Sequence, residues 1–140
     1  MLVGSCLAGI SFLKGLGFVH AISHMVGAEF DTQHGLTNAI VLPVVLRYNL
    51  PSLDKKRRQM ADALSINDKT TDGFVGEIEA TLTRLDIPKS LGSIGVPFDC
   101  ASRVAEKAMF DSAASTNPVK GNSSDIKALI ESSILEARQF

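Results

Sequence analysis

The sequence has little of several things that would identify a special class of protein. It contains no tryptophan and only two cysteines in 140 residues, and its 14 Lys+Arg against 15 Asp+Glu leave a net charge of −1. Without an excess of positive charge there is no overall electrostatic drive toward a phosphate backbone, so we expect no nucleic-acid partner. The single basic run, Lys55-Lys56-Arg57-Arg58, is expected to lie on the solvated face of a helix.

The two cysteines are too far apart in sequence to indicate a metal or disulfide motif. Cys6 and Cys100 belong to no C-x-x-C pair and to no Cys/His cluster. This pattern argues against both a disulfide framework and a zinc knuckle. Since a free cysteine packs like a small apolar side chain, we expect both thiols to be buried.

No apolar run is long enough to predict a membrane-spanning helix. The longest, at residues 1–13, is interrupted by glycines and serines and ends at Lys14, whereas a spanning helix needs roughly 20 residues. It also lacks the basic start and the cleavage site of a signal peptide, so we expect a cytoplasmic protein. The mean hydropathy of +0.17 is nevertheless high for a small domain. Two explanations are open at this point: some of the apolar surface meets a partner, or a membrane is involved.

Phosphate-binding and hydrolase motifs are also absent. The sequence has no P-loop, no G-x-G-x-x-G and no G-x-S-x-G. The nearest approach, Gly15-Leu16-Gly17, follows a predicted helix rather than a strand, and we interpret it as a turn between two helices.

Apolar residues recur at helical spacing almost everywhere, which predicts an all-α fold with a single domain over residues 1–140. The first helix is apolar on every side, so we expect it to be buried. The second should end at Gly27, Ser52 should cap the fourth, and Asn122 or Ser123 should cap the last. We expect seven helices, over residues 2–13, 18–26, 36–48, 53–65, 71–85, 97–111 and 123–137. The expected inner faces include Met60, Ala61 and Leu64 in the fourth helix, Phe74, Ile78, Leu82 and Leu85 in the fifth, and Ile126, Leu129, Ile130 and Ile134 in the last.

All three histidines fall within fifteen residues of one another. His20 and His24 are four residues apart and so share one face of a helix. His34 is expected in a loop before Gly35, from which it could fold back toward that face. Converging imidazoles can ligate Fe²⁺ or Zn²⁺. The residues alone leave open the alternative of one buried core histidine and one exposed one.

Residues 15–27 (GLGFVHAISHMVG) and 31–43 (DTQHGLTNAIVLP) closely resemble the iron-containing (group III) alcohol dehydrogenase family. The match is to its pattern G-L-G-x-x-H-x-x-x-H-x-x-G followed by H-G-x-x-N-A-x-x-x-P, in the all-helical C-terminal domain. The resemblance implies that His20 and His34 are two of four ligands of a catalytic Fe²⁺, Zn²⁺ or other divalent metal. It also implies that His24 lies beside the nicotinamide of NAD(P) and the substrate, where it relays or orients a proton. The implied activity is hydride transfer between NAD(P) and a small alcohol or aldehyde, an oxidoreductase reaction.

Two parts of the family pattern have no counterpart in these 140 residues. The family's other two ligands form an Asp-x-x-x-His motif that is not found here, and neither is a glycine-rich dinucleotide-binding domain. We therefore expect the C-terminal half of a two-domain enzyme, inactive as an isolated chain and weak in metal binding. Without the other half, about the first 48 residues should leave an exposed apolar patch. This patch explains the high mean hydropathy without a membrane partner, and it predicts self-association as a homo-oligomer. The alternative is a non-catalytic helical dimerisation or interaction module with vestigial histidines.

Overall fold

The computed structural model describes residues 2–135, and within that range all regular structure is helical, which confirms the all-α prediction. Short 3₁₀ turns connect several of the helices, the first of them at Phe12–Lys14. The predicted end of the last helix, at residues 136–137, lies outside the described residues. Residues 2–135 form seven α-helices, which are α1 (Leu2–Ser11), α2 (Gly17–Phe30), α3 (His34–Asn49), α4 (Asp54–Ala63), α5 (Thr71–Arg84), α6 (Ala101–Met109) and α7 (Ser123–Ile134).

The junction between α2 and α3 differs from the predicted one. Helix α2 passes through Gly27, since one glycine inside a helix costs only about 1 kcal/mol relative to alanine. It ends instead where Asp31 adopts a left-handed backbone (φ 52°) and donates its N–H to the Gly27 carbonyl. Helix α3 begins at His34 because the Gln33 side chain accepts the N–H of Leu36 and caps it. His34 is therefore the first residue of a helix rather than part of a loop.

The main core is formed by the facing sides of α2, α3, α6 and α7. The expected inner face of α7 is buried, and the helix starts with a capping box in which Asn122 and Asp125 bind each other's backbone N–H groups. The most completely buried large side chains of this core are Phe18, Ile22, Val26, Val41, Val45, Leu91, Val104, Ile126 and Ile130. A smaller apolar cluster lies between α3, α4 and α5.

Several predictions for α4 and α5 are wrong. Ala61 is buried, but Met60 and Leu64 are exposed, because α4 ends at Ala63 and the chain then turns so that Ile66 fills the small core. Leu85 lies beyond the last turn of α5 and is 65% exposed.

Two further predictions concern polar side chains in and just before α4. Ser52 makes no capping hydrogen bond, since the residue that precedes the helix is Leu53. Within the basic run, Arg57 is buried, and it donates to the Lys69 carbonyl at 2.8 Å and to Thr71 Oγ1 at 3.2 Å.

Helix α1 is the largest departure from expectation. None of its residues is buried, and Leu2 is 88% and Leu13, in the following turn, 90% exposed. Cys6 is exposed with it, so the expectation of two buried thiols holds only for Cys100. An apolar helix becomes buried only where another element covers it, and within the described residues α1 packs chiefly on the turn that follows it. The predicted exposed patch is therefore found on α1, whereas α2 and α3 contribute to the core.

Between residues 2 and 135 no single helix is long and apolar enough to cross a membrane. The segments Leu2–Lys14 and Gly17–Phe30 would reach that length and composition only together, and they are bent by 96° at their junction.

Candidate functional site

The three histidines predicted to form a site do come together. His20 and His24 lie one turn apart on α2, and His34 opens α3 beside them. The ring centroids are 5.8 Å apart for His20 and His24, 5.2 Å for His20 and His34, and 5.4 Å for His24 and His34. The sharp turn between α2 and α3 produces this cluster, because it returns the chain along the face that carries His20 and His24.

Asn38 lies at the point where two of the imidazoles converge. Its side-chain nitrogen Nδ2 is 3.3 Å from His20 Nε2 and 3.0 Å from His34 Nε2. An amide NH₂ has two hydrogens to donate, so both Nε2 atoms accept, and their lone pairs face the same atom. The Oδ1 atom of Asn38 is buried without a hydrogen-bond partner. His20 and His34, the two residues predicted as metal ligands, thus direct the lone pairs of their Nε2 atoms toward the same position.

The surroundings of His20 disfavour its protonated form. Burial lowers its pKa from the ordinary histidine value, and the neighbouring His34 and His24 imidazoles lower it further. The ring edge packs against Phe12 at a centroid distance of 5.8 Å, and Nδ1 is buried without a partner. A histidine held neutral is in the form that ligates metals.

The donor set fits a divalent metal only in part. Imidazole nitrogens suit Fe²⁺ and Zn²⁺, but such sites have three or four protein ligands. Within residues 2–135, no three His, Cys, Asp or Glu side chains are placed so that they could hold a metal ion together. His20 and His34 offer two imidazole nitrogens, which is fewer than the three or four protein ligands of such sites.

His24 has a different partner, one that the sequence did not reveal. Its Nδ1 lies 3.0 Å from Oδ2 of Asp111, a residue of the loop after α6. Asp111 is largely buried, whereas the His24 side chain is 36% exposed. The two residues are 87 positions apart in sequence, and no local spacing connects them. Their pairing depends on the packing of α6 against α2.

The loop that carries Asp111 is also bonded to the start of α2. Thr116 Oγ1 accepts the N–H groups of Leu16 and Gly17 at 3.1 and 3.3 Å, and Asn117 Oδ1 accepts that of Phe18 at 3.1 Å. These N–H groups have no partner inside the helix, so the loop acts as its cap.

The two glycines of the predicted turn allow this loop to approach. Gly15 and Gly17 have φ values of +97° and +71°. A Cβ on Gly15 would lie 2.3 Å from Cβ of Thr116, and one on Gly17 would lie 3.0 Å from Oδ1 of Asn117. Glycine is therefore required at both positions by backbone conformation and by space.

The sequence is similar to known proteins of one family. A match to the C-terminal domain of the Fe-containing alcohol dehydrogenase family spans residues 1–134. The 1,3-propanediol dehydrogenase of Klebsiella pneumoniae is 37% identical over 136 residues, covering 92% of this chain and 35% of the relative. The lactaldehyde reductase of Escherichia coli (strain K12) is 32% identical, with 92% and 36% covered.

A solved structure agrees with these sequence matches. The crystal structure of a 1,3-propanediol oxidoreductase superposes with a TM-score of 0.80 at 33% identity, covering 85% of this chain and 33% of that one. The chain therefore spans about a third of the length of the relatives that it matches.

Proposed function

Since this chain belongs to the iron-containing alcohol dehydrogenase family and matches its C-terminal helical domain, we propose that it supplies metal-binding histidines to such an enzyme. The enzyme would transfer hydride between NAD(P) and a small alcohol or aldehyde. The relatives bear names of this chemistry, 1,3-propanediol dehydrogenase and lactaldehyde reductase among them.

One observation carries the proposal. The Nε2 atoms of His20 and His34, from two different helices, both face the side-chain nitrogen of Asn38. The only structural role of these two lone pairs within the described residues is to accept hydrogen bonds from the Asn38 amide. They are, however, the arrangement that a borderline divalent cation requires of two of its ligands.

Each histidine has a separate role in this proposal. His20 and His34 would hold the metal, and the lowered pKa of His20 keeps its nitrogen available as a ligand. The bound metal would act as a Lewis acid toward the alcohol oxygen. His24 is paired with Asp111 instead, so it would lie beside the nicotinamide and the substrate and relay or orient a proton.

With two ligands present out of four, the isolated chain should bind metal weakly. Four-ligand structural zinc sites reach apparent binding free energies of about 10–16 kcal/mol, and the loss of half of the donors removes much of that. We also propose that the nucleotide is held by residues outside these 140. The isolated chain should therefore show no alcohol oxidation with NAD⁺ or NADP⁺.

A second candidate is a helical dimerisation module with vestigial histidines, and it is favoured by the apolar helix α1, none of whose residues is buried. Self-association through α1 is compatible with either function, since many enzymes are homo-oligomers. A cytoplasmic location is also part of the proposal, because Cys6 and Cys100 are both free thiols, as is usual in reducing compartments.

Spectroscopic titration with Co²⁺ in place of the native metal separates the two candidates. We expect weak saturable binding of one ion per chain, which His20→Ala or His34→Ala abolishes. His24→Ala is the matched control, because it removes an imidazole from the same cluster but should leave binding intact. No saturable binding by the folded chain, or equal loss in all three variants, would favour the dimerisation module.

A further inference from the structure

The carboxylate of Asp111 makes two different hydrogen bonds, one with each oxygen. Oδ1 accepts the backbone N–H of Ala113 at 2.8 Å within its own loop. Oδ2 lies 3.0 Å from His24 Nδ1 across the helix interface. Because a carboxylate only accepts hydrogen bonds, the imidazole nitrogen that faces it must carry the proton.

We propose that Asp111 is a positioning residue that holds the neutral His24 ring in its Nδ1–H tautomer and leaves Nε2 unprotonated. In a neutral imidazole, the hydrogen bond made by one ring nitrogen fixes which of the two carries the proton. With its single hydrogen on Nδ1, the neutral ring has a lone pair at Nε2, on the side away from Asp111. The half-exposed side chain can then accept a proton there.

The loop holds Asp111 in place before any ligand binds. Thr116 and Asn117 attach this loop to the first turn of α2, and Asp111 attaches it again near the middle of the same helix. Attachment at two points along one helix fixes the distance between the carboxylate and the ring. Such preorganised support is what orients a functional imidazole in other sites.

The role of this tautomer in catalysis rests on the proposed function. A proton relay at His24 needs one nitrogen that can accept a proton and a partner that stabilises the charged ring, and Asp111 supplies both conditions. The two other imidazoles beside the ring, His20 and His34, face Asn38 through Nε2. They therefore do not compete for the Asp111 carboxylate.

The variant Asp111→Asn gives the sharpest test because it should invert the tautomer. Asparagine has one acceptor oxygen, and the N–H of Ala113 needs it to keep the turn. The NH₂ group would then face His24 Nδ1 as a donor, so this nitrogen must lose its proton and Nε2 must gain it. Asp99→Asn, an exposed position in the 3₁₀ turn before α6, is the matched control.

Long-range ¹⁵N–¹H NMR of the histidine rings reads the tautomer directly. The spectra are recorded on the 140-residue chain at pH 8.5, where an ordinary histidine, with a pKa of about 6.5, is neutral. His24→Gln assigns the signals. We expect Nδ1–H in the wild type and in Asp99→Asn, and Nε2–H in Asp111→Asn. A wild-type Nε2–H ring, or an unchanged tautomer in a folded Asp111→Asn chain, would overturn the proposal.

A second variant, Asp111→Ala, covers the case in which Asp111→Asn does not fold. Alanine removes the carboxylate that faces His24 Nδ1, so the proton of the His24 ring should divide between Nδ1 and Nε2, and Nε2–H should become detectable. An unchanged tautomer in that variant also overturns the proposal. The measurement needs neither metal nor nucleotide, so its failure is distinguishable from the failure of the proposed function, which the Co²⁺ titration tests.

Discussion

Replacing Asn117 with alanine should destabilise the chain more than any other single polar substitution near the site. The side chain is buried and forms a reciprocal pair with Asn49, donating to its Oδ1 at 2.9 Å and accepting from its Nδ2 at 3.1 Å. It also accepts the N–H of Phe18 and donates to the carbonyl of Val119 at 2.7 Å. One amide thus joins α2, α3 and the loop before α7.

The magnitude follows from the groups that Asn117→Ala leaves without partners. Each buried polar group left unsatisfied costs about 1–3 kcal/mol. The N–H of Phe18 and the amide of Asn49 are both buried, so the free energy of unfolding should fall by about 4 kcal/mol. At roughly 3–4 °C per kcal/mol for a chain of this size, the melting temperature should fall by about 15 °C.

Thermal and urea unfolding followed by circular dichroism measures this loss. Asn67→Ala, in an exposed loop, is the matched control and should change the free energy of unfolding by less than about 0.5 kcal/mol. If the free energy of unfolding of Asn117→Ala stays within about 1 kcal/mol of the wild-type value, the buried amide does not hold the helices together.

Three further changes test other parts of the structure. Gly15→Ala places a side chain at φ +97° and against Thr116, so it should cost about 2–4 kcal/mol in chemical unfolding, and a neutral result would refute the required close approach. The wild type should self-associate in analytical ultracentrifugation at high concentration, and Leu7→Glu in α1 should reduce this whereas Leu85→Glu, just after α5, should not; a strictly monomeric wild type would contradict this prediction. Hydrogen bonds from two basic side chains of α6 lower the pKa of Glu29, so its charge stabilises the fold at neutral pH and this contribution disappears as the pH falls through the lowered pKa. Glu29→Gln should therefore be less stable than the wild type at pH 7 and equal to it in acid, and a difference that is constant with pH would count against this ion pair.

The sequence was most informative where periodicity and local spacing decide the structure. The apolar stripe of α7, with Ile126, Ile130 and Ile134 at helical spacing, predicted its buried face correctly. The same holds for His20 and His24, which their four-residue spacing places on one side of α2. These features depend on the geometry of a single helix, which a short stretch of sequence contains in full.

Features that depend on distant contacts could not be predicted in this way. Helix α1 was expected inside the protein because its composition is apolar, yet burial needs a covering element, and composition does not reveal whether one is present. Asp111 and Asn117 lie far in sequence from α2, with which both form hydrogen bonds. The placement of His34 at the start of α3 depended on Gln33 as a cap, a residue outside the most favoured capping types.

The most direct test of the central claim is the response of the ring nitrogens to Zn²⁺ in long-range ¹⁵N–¹H NMR. If His20 and His34 are metal ligands, added Zn²⁺ should shift the Nε2 signals of both together with a single saturation curve. The His24 signals should keep their tautomer, because that ring is paired with Asp111. A response at Nδ1, or at His24 instead of the other two histidines, would contradict the claim that this pair holds the metal.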